Sequence, residues 1–104
     1  MTLEFCQNLT KVADGKHMKR IYRQILKETL HEEIVKTRVE LGWTQEQMAE
    51  RLEMDVRSYS DLDNGKCSCG VLTLILFLIY CCADAKALLV KIRSRFDEAR
   101  DNAA

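Results

Sequence analysis

The chain has no proline and only four glycines among its 104 residues. Those are the residues that punctuate short strands and tight turns, so their scarcity speaks for helices and against an all-β fold. It has no surplus of charge either: sixteen basic residues balance sixteen acidic ones, and the net charge favours no class of partner. Only two histidines are present, His17 and His31, neither close in sequence to a plausible nucleophile. There is no glycine-rich phosphate loop and no metalloprotease helix motif, which points away from an enzyme and from any cofactor. The first residues, Met1–Asn8, lack the basic start and apolar run of a signal peptide. The longest apolar run, Val71–Cys82, has twelve residues, whereas crossing a bilayer takes about 20. A cytoplasmic protein with no membrane association is expected.

What is present fits one small domain. Apolar residues make up 47 % and charged residues 31 %, ordinary values for a globular chain of this length. Five cysteines without a secretion signal suggest reduced thiols. Four of them cluster as Cys67-x-Cys69 and Cys81-Cys82. Structural zinc usually takes pairs spaced by two to four residues, so packed thiols are expected here and no metal.

The most legible stretch is Thr44–Gly65, TQEQMAERLEMDVRSYSDLDNG. Thr44 can cap a helix, and Gln47 can reach back to complete a capping box. Met48 and Leu52, four apart, share a face, with Ala49 beside them. Glu53-Met54 breaks the period. Asp55 can cap a second helix whose inward face is Tyr59 and Leu62, and Asn64-Gly65 ends it.

This spacing resembles the phage-repressor-like helix-turn-helix family of the Cro and lambda-repressor type. The resemblance rests on Gln45, Met48-Ala49, Leu52, Met54, Tyr59, Leu62 and Asn64-Gly65, with Arg38 and Gly42 ahead of them. It implies an all-α, lambda-repressor-like bundle over roughly residues 30 to 82. It implies a second motif helix lying in the DNA major groove, and dimers on two half-sites about one helical turn apart. Carried over by position, Thr44 and Gln45 open the first motif helix, with Gln45 as the phosphate clamp. Val56, Arg57 and Asp61 face the bases, Ser58 and Ser60 are small polar neighbours, and Asn64 and Lys66 contact the backbone. Arg57 is the strongest candidate reader, because guanidinium can grip guanine O6 and N7. Glu53 falls where the family often has glycine, in a turn that can be left-handed.

Three segments follow: an N-terminal extension (1–28), the motif domain (29–82) and a C-terminal helix (83–104). Leu3, Cys6, Leu9, Thr10 and Ala13 fit a short helix ended by Asp14-Gly15. Met18, Ile21, Tyr22, Ile25 and Leu26 recur at helical spacing over 17–28. The opposite face is basic, and from Lys11 to Lys27 six bases (Lys11, Lys16, Lys19, Arg20, Arg23 and Lys27) stand against one acid, Asp14. That face is either solvated surface or a phosphate-contacting arm through Lys19, Arg20 and Arg23. Thr29-Leu30-His31-Glu32 has the form of a capping box for a helix over 30–41 with Leu30, Ile34 and Leu41 inward, although nothing prevents one continuous helix. Trp43 reads as packing.

Val71–Cys82 is apolar nearly all round and must be covered on every side. By the resemblance Leu74, Phe77 and Cys81 are core, while Leu76, Ile79 and Tyr80 fall at positions usually polar. Leu88, Leu89, Ile92 and Phe96 form a stripe on the last helix. Either that helix folds back over the apolar excess or two chains pair there. A homodimer seam of Leu76, Ile79, Tyr80, Leu88, Leu89, Ile92 and Phe96 is expected.

The function expected is a sequence-specific, repressor-like regulator, a homodimer on double-stranded DNA. The alternative is a protein-interaction module or antitoxin-like regulator. Its motivation is charge: Val39–Asp63 carries seven acids (Glu40, Glu46, Glu50, Glu53, Asp55, Asp61, Asp63) against Arg51 and Arg57, the wrong sign for phosphate.

Overall fold

Nothing between Gly15 and Leu41 breaks a helix. The computed structural model, which describes residues 15–81 and 84–103, has one 27-residue helix there, α1 (Gly15–Leu41). It is followed by α2 (Gln45–Arg51), α3 (Val56–Asp63), α4 (Val71–Tyr80) and α5 (Ala85–Ala103), with no strand among the described residues. The fold is an all-α bundle. The short helix expected before Gly15, with Cys6, lies outside the described residues, as does Cys82.

The capping box expected at Thr29–Glu32 does not form. Without a breaker the helix runs through it, and Thr29 is a fully buried interior residue. Its hydroxyl instead accepts a hydrogen bond from Arg95 Nη1 at 2.7 Å. Leu41, expected inward, is 45 % exposed. It is the last residue of α1, and the chain turns away immediately after it.

Three helices end in the same way. In each, a residue with positive φ follows the cap, and the next two N–H groups return to carbonyls of the last turn, the Schellman arrangement. After α1 these bonds are Gly42 N–H to Val39 and Trp43 N–H to Arg38, both 3.1 Å. After α2 they are Glu53 N–H to Glu50 at 3.2 Å and Met54 N–H to Ala49 at 2.9 Å. After α3 they are Gly65 N–H to Leu62 at 3.1 Å and Lys66 N–H to Asp61 at 2.8 Å. The left-handed residues are Gly42 (φ 70°), Glu53 (φ 55°) and Gly65 (φ 76°). Glu53 alone carries a side chain in that region, which costs about 1 kcal/mol.

The expected capping of the two central helices is present. Thr44 Oγ1 accepts from Gln47 N at 3.1 Å, and Gln47 Oε1 accepts from Thr44 N at 2.8 Å. Asp55 Oδ1 accepts from Ser58 N at 2.8 Å. Met48 and Ala49 of α2 and Leu52, its C-cap, meet Tyr59 and Leu62 from α3, all buried. Leu30 and Ile34 of α1 and Phe77 of α4 close the same core.

The C-terminal helix packs chiefly along α1. It runs antiparallel to α1. Arg100 Nε donates to Tyr22 Oη at 3.2 Å, the Tyr22 and Phe96 rings lie 4.6 Å apart, Arg95 Nη2 meets Glu32 at 3.1 Å and Lys91 meets Glu33 at 3.7 Å. Leu88 (3 % exposed) and Ile92 (8 %) enter the main core. Three of the seven residues of the expected dimer seam (Leu88, Ile92 and Phe96) are therefore packed within their own chain. The outer side of α4 stays open: Val71, Leu72, Ile75, Ile79 and Tyr80 are all exposed. No described helix is long and apolar enough to cross a membrane.

Candidate nucleic-acid interface

Asp63, the last residue of α3, ties three helices together. Its Oδ1 accepts from Arg38 Nε at 2.9 Å and from Tyr59 Oη at 2.8 Å, while its Oδ2 accepts from Gln45 Nε2 at 3.0 Å and Arg38 Nη2 at 3.3 Å. His31 Nε2 lies 2.8 Å from the Asp63 carbonyl oxygen. Burial alone would raise the carboxyl pKa, but the bonds from Arg38, Tyr59 and Gln45 outweigh it and hold the group below its ordinary value. Burial first, and then the bond to Asp63, pushes the Tyr59 phenol above its usual range, so it remains a donor. Arg38 spans further, to the Trp43 carbonyl at 3.0 Å. This knot clamps the C-terminal end of α3 against α1 and the start of α2.

The opposite end of α3 points outward. Val56 is 43 % exposed, and Arg57 and Ser58 are exposed beside it. Ser58 also serves the cap, its hydroxyl donating to Asp55 Oδ2 at 3.0 Å. Ser60 and Asp61 are half-buried further along, and Asn64 and Lys66 are exposed after the helix. Asn64 Nδ2 reaches Ser60 Oγ at 3.4 Å. Thr44 is exposed at the start of α2, and Gln45 is half-buried with its amide committed to Asp63. The expected phosphate clamp is thus holding the hub.

Two of the seven acids counted in this stretch are engaged locally. Asp63 faces Arg38. Asp55 is fixed by the α3 N-terminus, the Ser58 N–H lowering its pKa most. Lys19, Arg20 and Arg23 are exposed, but in the first third of α1, whereas α3 is held at His31 and Arg38. Arg51, near the end of α2, has its Cζ 5.2 Å from the Trp43 ring centroid, a cation–π contact.

Cys67 is exposed and Cys69 and Cys81 are half-buried. Burial, with Cys67 nearby, pushes the Cys69 thiol up to about 11. Among the described residues no three His, Cys, Asp or Glu side chains gather as a metal site would need.

Sequence reasoning missed the hub. Asp63 counted only as one more acid, although its spacing of four from Tyr59 was a signal for a hydrogen bond along α3. It also missed the cleft between α2 and α4, where Trp43, Glu50, Glu53, Leu76 and Tyr80 come together. Comparison of the chain with protein-family models, with curated proteins and with solved structures finds no match.

Proposed function

We propose that the chain is a DNA-binding regulator of the helix-turn-helix type that reads a palindromic site as a homodimer, with α3 in the major groove. One observation carries this: α3 is clamped at its C-terminal end by Asp63 and its neighbours, while its first turn projects Val56 and Arg57 into solvent. A helix held at one end and open at the other can enter a groove without losing its footing. The tight α2–α3 turn through left-handed Glu53 and the reciprocal Thr44–Gln47 cap support the same assignment. Arg57 reads guanine by a two-pronged contact, and Val56 contacts a thymine methyl. Thr44, Asn64 and Lys66 approach the backbone. Local use of Asp63 and Asp55 reduces the negative charge the groove would meet.

Selection of bound sequences from a random DNA pool tests this. An enriched palindrome is expected, with affinity falling steeply as salt rises. Arg57→Ala should cost about 1–3 kcal/mol on a guanine-containing site and relax selectivity there. A pool with no enrichment excludes sequence-specific reading.

A second reading is favoured by the acids that stay exposed. Glu46, Glu50 and Glu53 remain on the surface around α2, and an acidic face of this kind suits a protein partner. In that case binding follows protein, not DNA, and random-pool selection returns nothing.

A further inference from the structure

Two surfaces of the molecule are unused by the fold, and they are complementary. The first is the cleft between α2 and α4, about 620 Å³, walled by Trp43, Leu76 and Tyr80 and edged by Glu50 and Glu53. Ile75 (46 % exposed) and Ile79 (63 %) extend its apolar wall along α4, which carries no charge. The second is the outer side of α5. There Leu89 (60 % exposed) and Val90 (58 %) lie between exposed Lys86 and Arg93. Lys86 and Arg93 are seven residues apart, two helical turns or about 10 Å, so they bracket the apolar pair on one face. Arg93 has only a loose, solvent-exposed contact to Asp97 at 3.8 Å.

We propose that these surfaces pair reciprocally between two copies of the chain. Leu89 and Val90 of each copy pack on Leu76, Ile79 and Tyr80 of the other, and Lys86 and Arg93 face Glu50 and Glu53. This deepens the dimer half of the proposed function and rests on that half alone. Charge selects this pairing over its rivals. Face-to-face packing of two α4 helices leaves Glu50 and Glu53 unanswered. The bases at Lys19, Arg20 and Arg23 have no large exposed apolar side chain among them, because among the described residues the large exposed apolar side chains begin at Val39. Among the described residues, α5 sets two exposed apolar side chains between two exposed bases on one face. Because each copy both gives and receives across a twofold axis, the contact is isologous and closes at two copies, whereas a one-way, head-to-tail contact would build rings or filaments. Arg51 is the one like charge in the cleft, and it is drawn onto the Trp43 ring.

The test is a charge exchange on exposed residues, read by analytical ultracentrifugation of the full chain without DNA. The parent chain sediments as a dimer. Variant one, Glu50→Lys with Glu53→Lys, and variant two, Lys86→Glu with Arg93→Glu, each dissociate at least tenfold more readily and keep the parent helical circular dichroism. Mixed in equal amounts, they form a heterodimer, because both contacts are then complementary. The four substitutions in one chain restore the homodimer. Arg51→Gln tightens the parent dimer severalfold. The pairing is overturned by a monomeric parent at high micromolar concentration, by a ladder of larger species, by charge variants that still dimerise alone, or by a mixture that fails to pair. None of these outcomes bears on DNA selection by Arg57, which is measured separately.

Discussion

Asp63 grips Arg38 with both carboxylate oxygens, at 2.9 and 3.3 Å, and so fixes α3 to the long helix α1. The Asp63 side chain is only 8 % exposed and that of Arg38 19 %. Removing the carboxylate charge leaves the half-buried Arg38 charge unanswered. An amide there also sets an NH2 donor where one oxygen had accepted hydrogen bonds, with Gln45 Nε2 and Arg38 Nη2 on one oxygen and Tyr59 Oη and Arg38 Nε on the other. Asp63→Asn should therefore destabilise the fold by about 2–4 kcal/mol, seen as a lower urea midpoint. A loss below about 1 kcal/mol would mean that the hub is surface decoration.

The same carboxylate sets an acid limit. Its folded pKa lies below the unfolded value of about 3.9. On acidification the unfolded chain takes up this proton first, so the hub's contribution is complete above about pH 5 and is lost as pH falls through the unfolded and then the folded value. Asp55 acts in the same direction through its bonds from Ser58. Urea midpoints measured from pH 6 down to pH 3 should fall in the parent and fall less steeply in Asp63→Asn. Equal slopes would remove Asp63 as the source.

Among the described residues, Glu53 is the one non-glycine residue held at positive φ, at 55°. Glu53→Gly relieves that strain but adds freedom to the unfolded chain. The net expectation is a gain of about 0.5–1 kcal/mol. Glycine also leaves both hydrogen bonds of the turn intact, since they are made by backbone. Thermal unfolding measures the balance, and a lower Tm would show that the Glu53 side chain holds the turn.

Much of the centre of the molecule was legible because its signals are local. A cap, its partner three residues on, and apolar residues at i, i+3 and i+4 determine α2 and α3 within a few turns of chain. Thr44, Gln47, Asp55, Tyr59 and Leu62 sit where that pattern puts them. Thr29–Glu32 misled because a capping box and a helix interior can share the same letters; the deciding partner, Arg95, is 66 residues away. The placement of α5 was illegible for a similar reason. Its apolar stripe states that it must be covered, but either α1 or α4 could cover it. The choice is made by Tyr22 meeting Phe96 and by Lys91 and Arg95 meeting Glu33 and Glu32. Of the candidate interface, Arg57 and Val56 were legible as outward residues, whereas the use of Gln45 in the Asp63 hub depends on how three helices converge.

Leu88 and Leu89 are neighbours with opposite fates, and they separate folding from pairing. Leu88 is 3 % exposed in the core shared by α1 and α4, and Leu89 is 60 % exposed on the outer side of α5. Truncating a buried leucine removes its burial energy and leaves a cavity, so Leu88→Ala should cost about 2–5 kcal/mol. Truncating an exposed one changes stability by about 0.5 kcal/mol or less. If α5 folds on its own chain, Leu88→Ala lowers the urea midpoint even in a dilute, dissociated sample. Leu89→Ala leaves that dilute midpoint unchanged and weakens self-association in the ultracentrifuge. The reverse pattern, with Leu88 governing association and Leu89 governing stability, would mean that α5 is rotated by about one residue, roughly 100° on an α-helix, and that its stripe faces a partner after all.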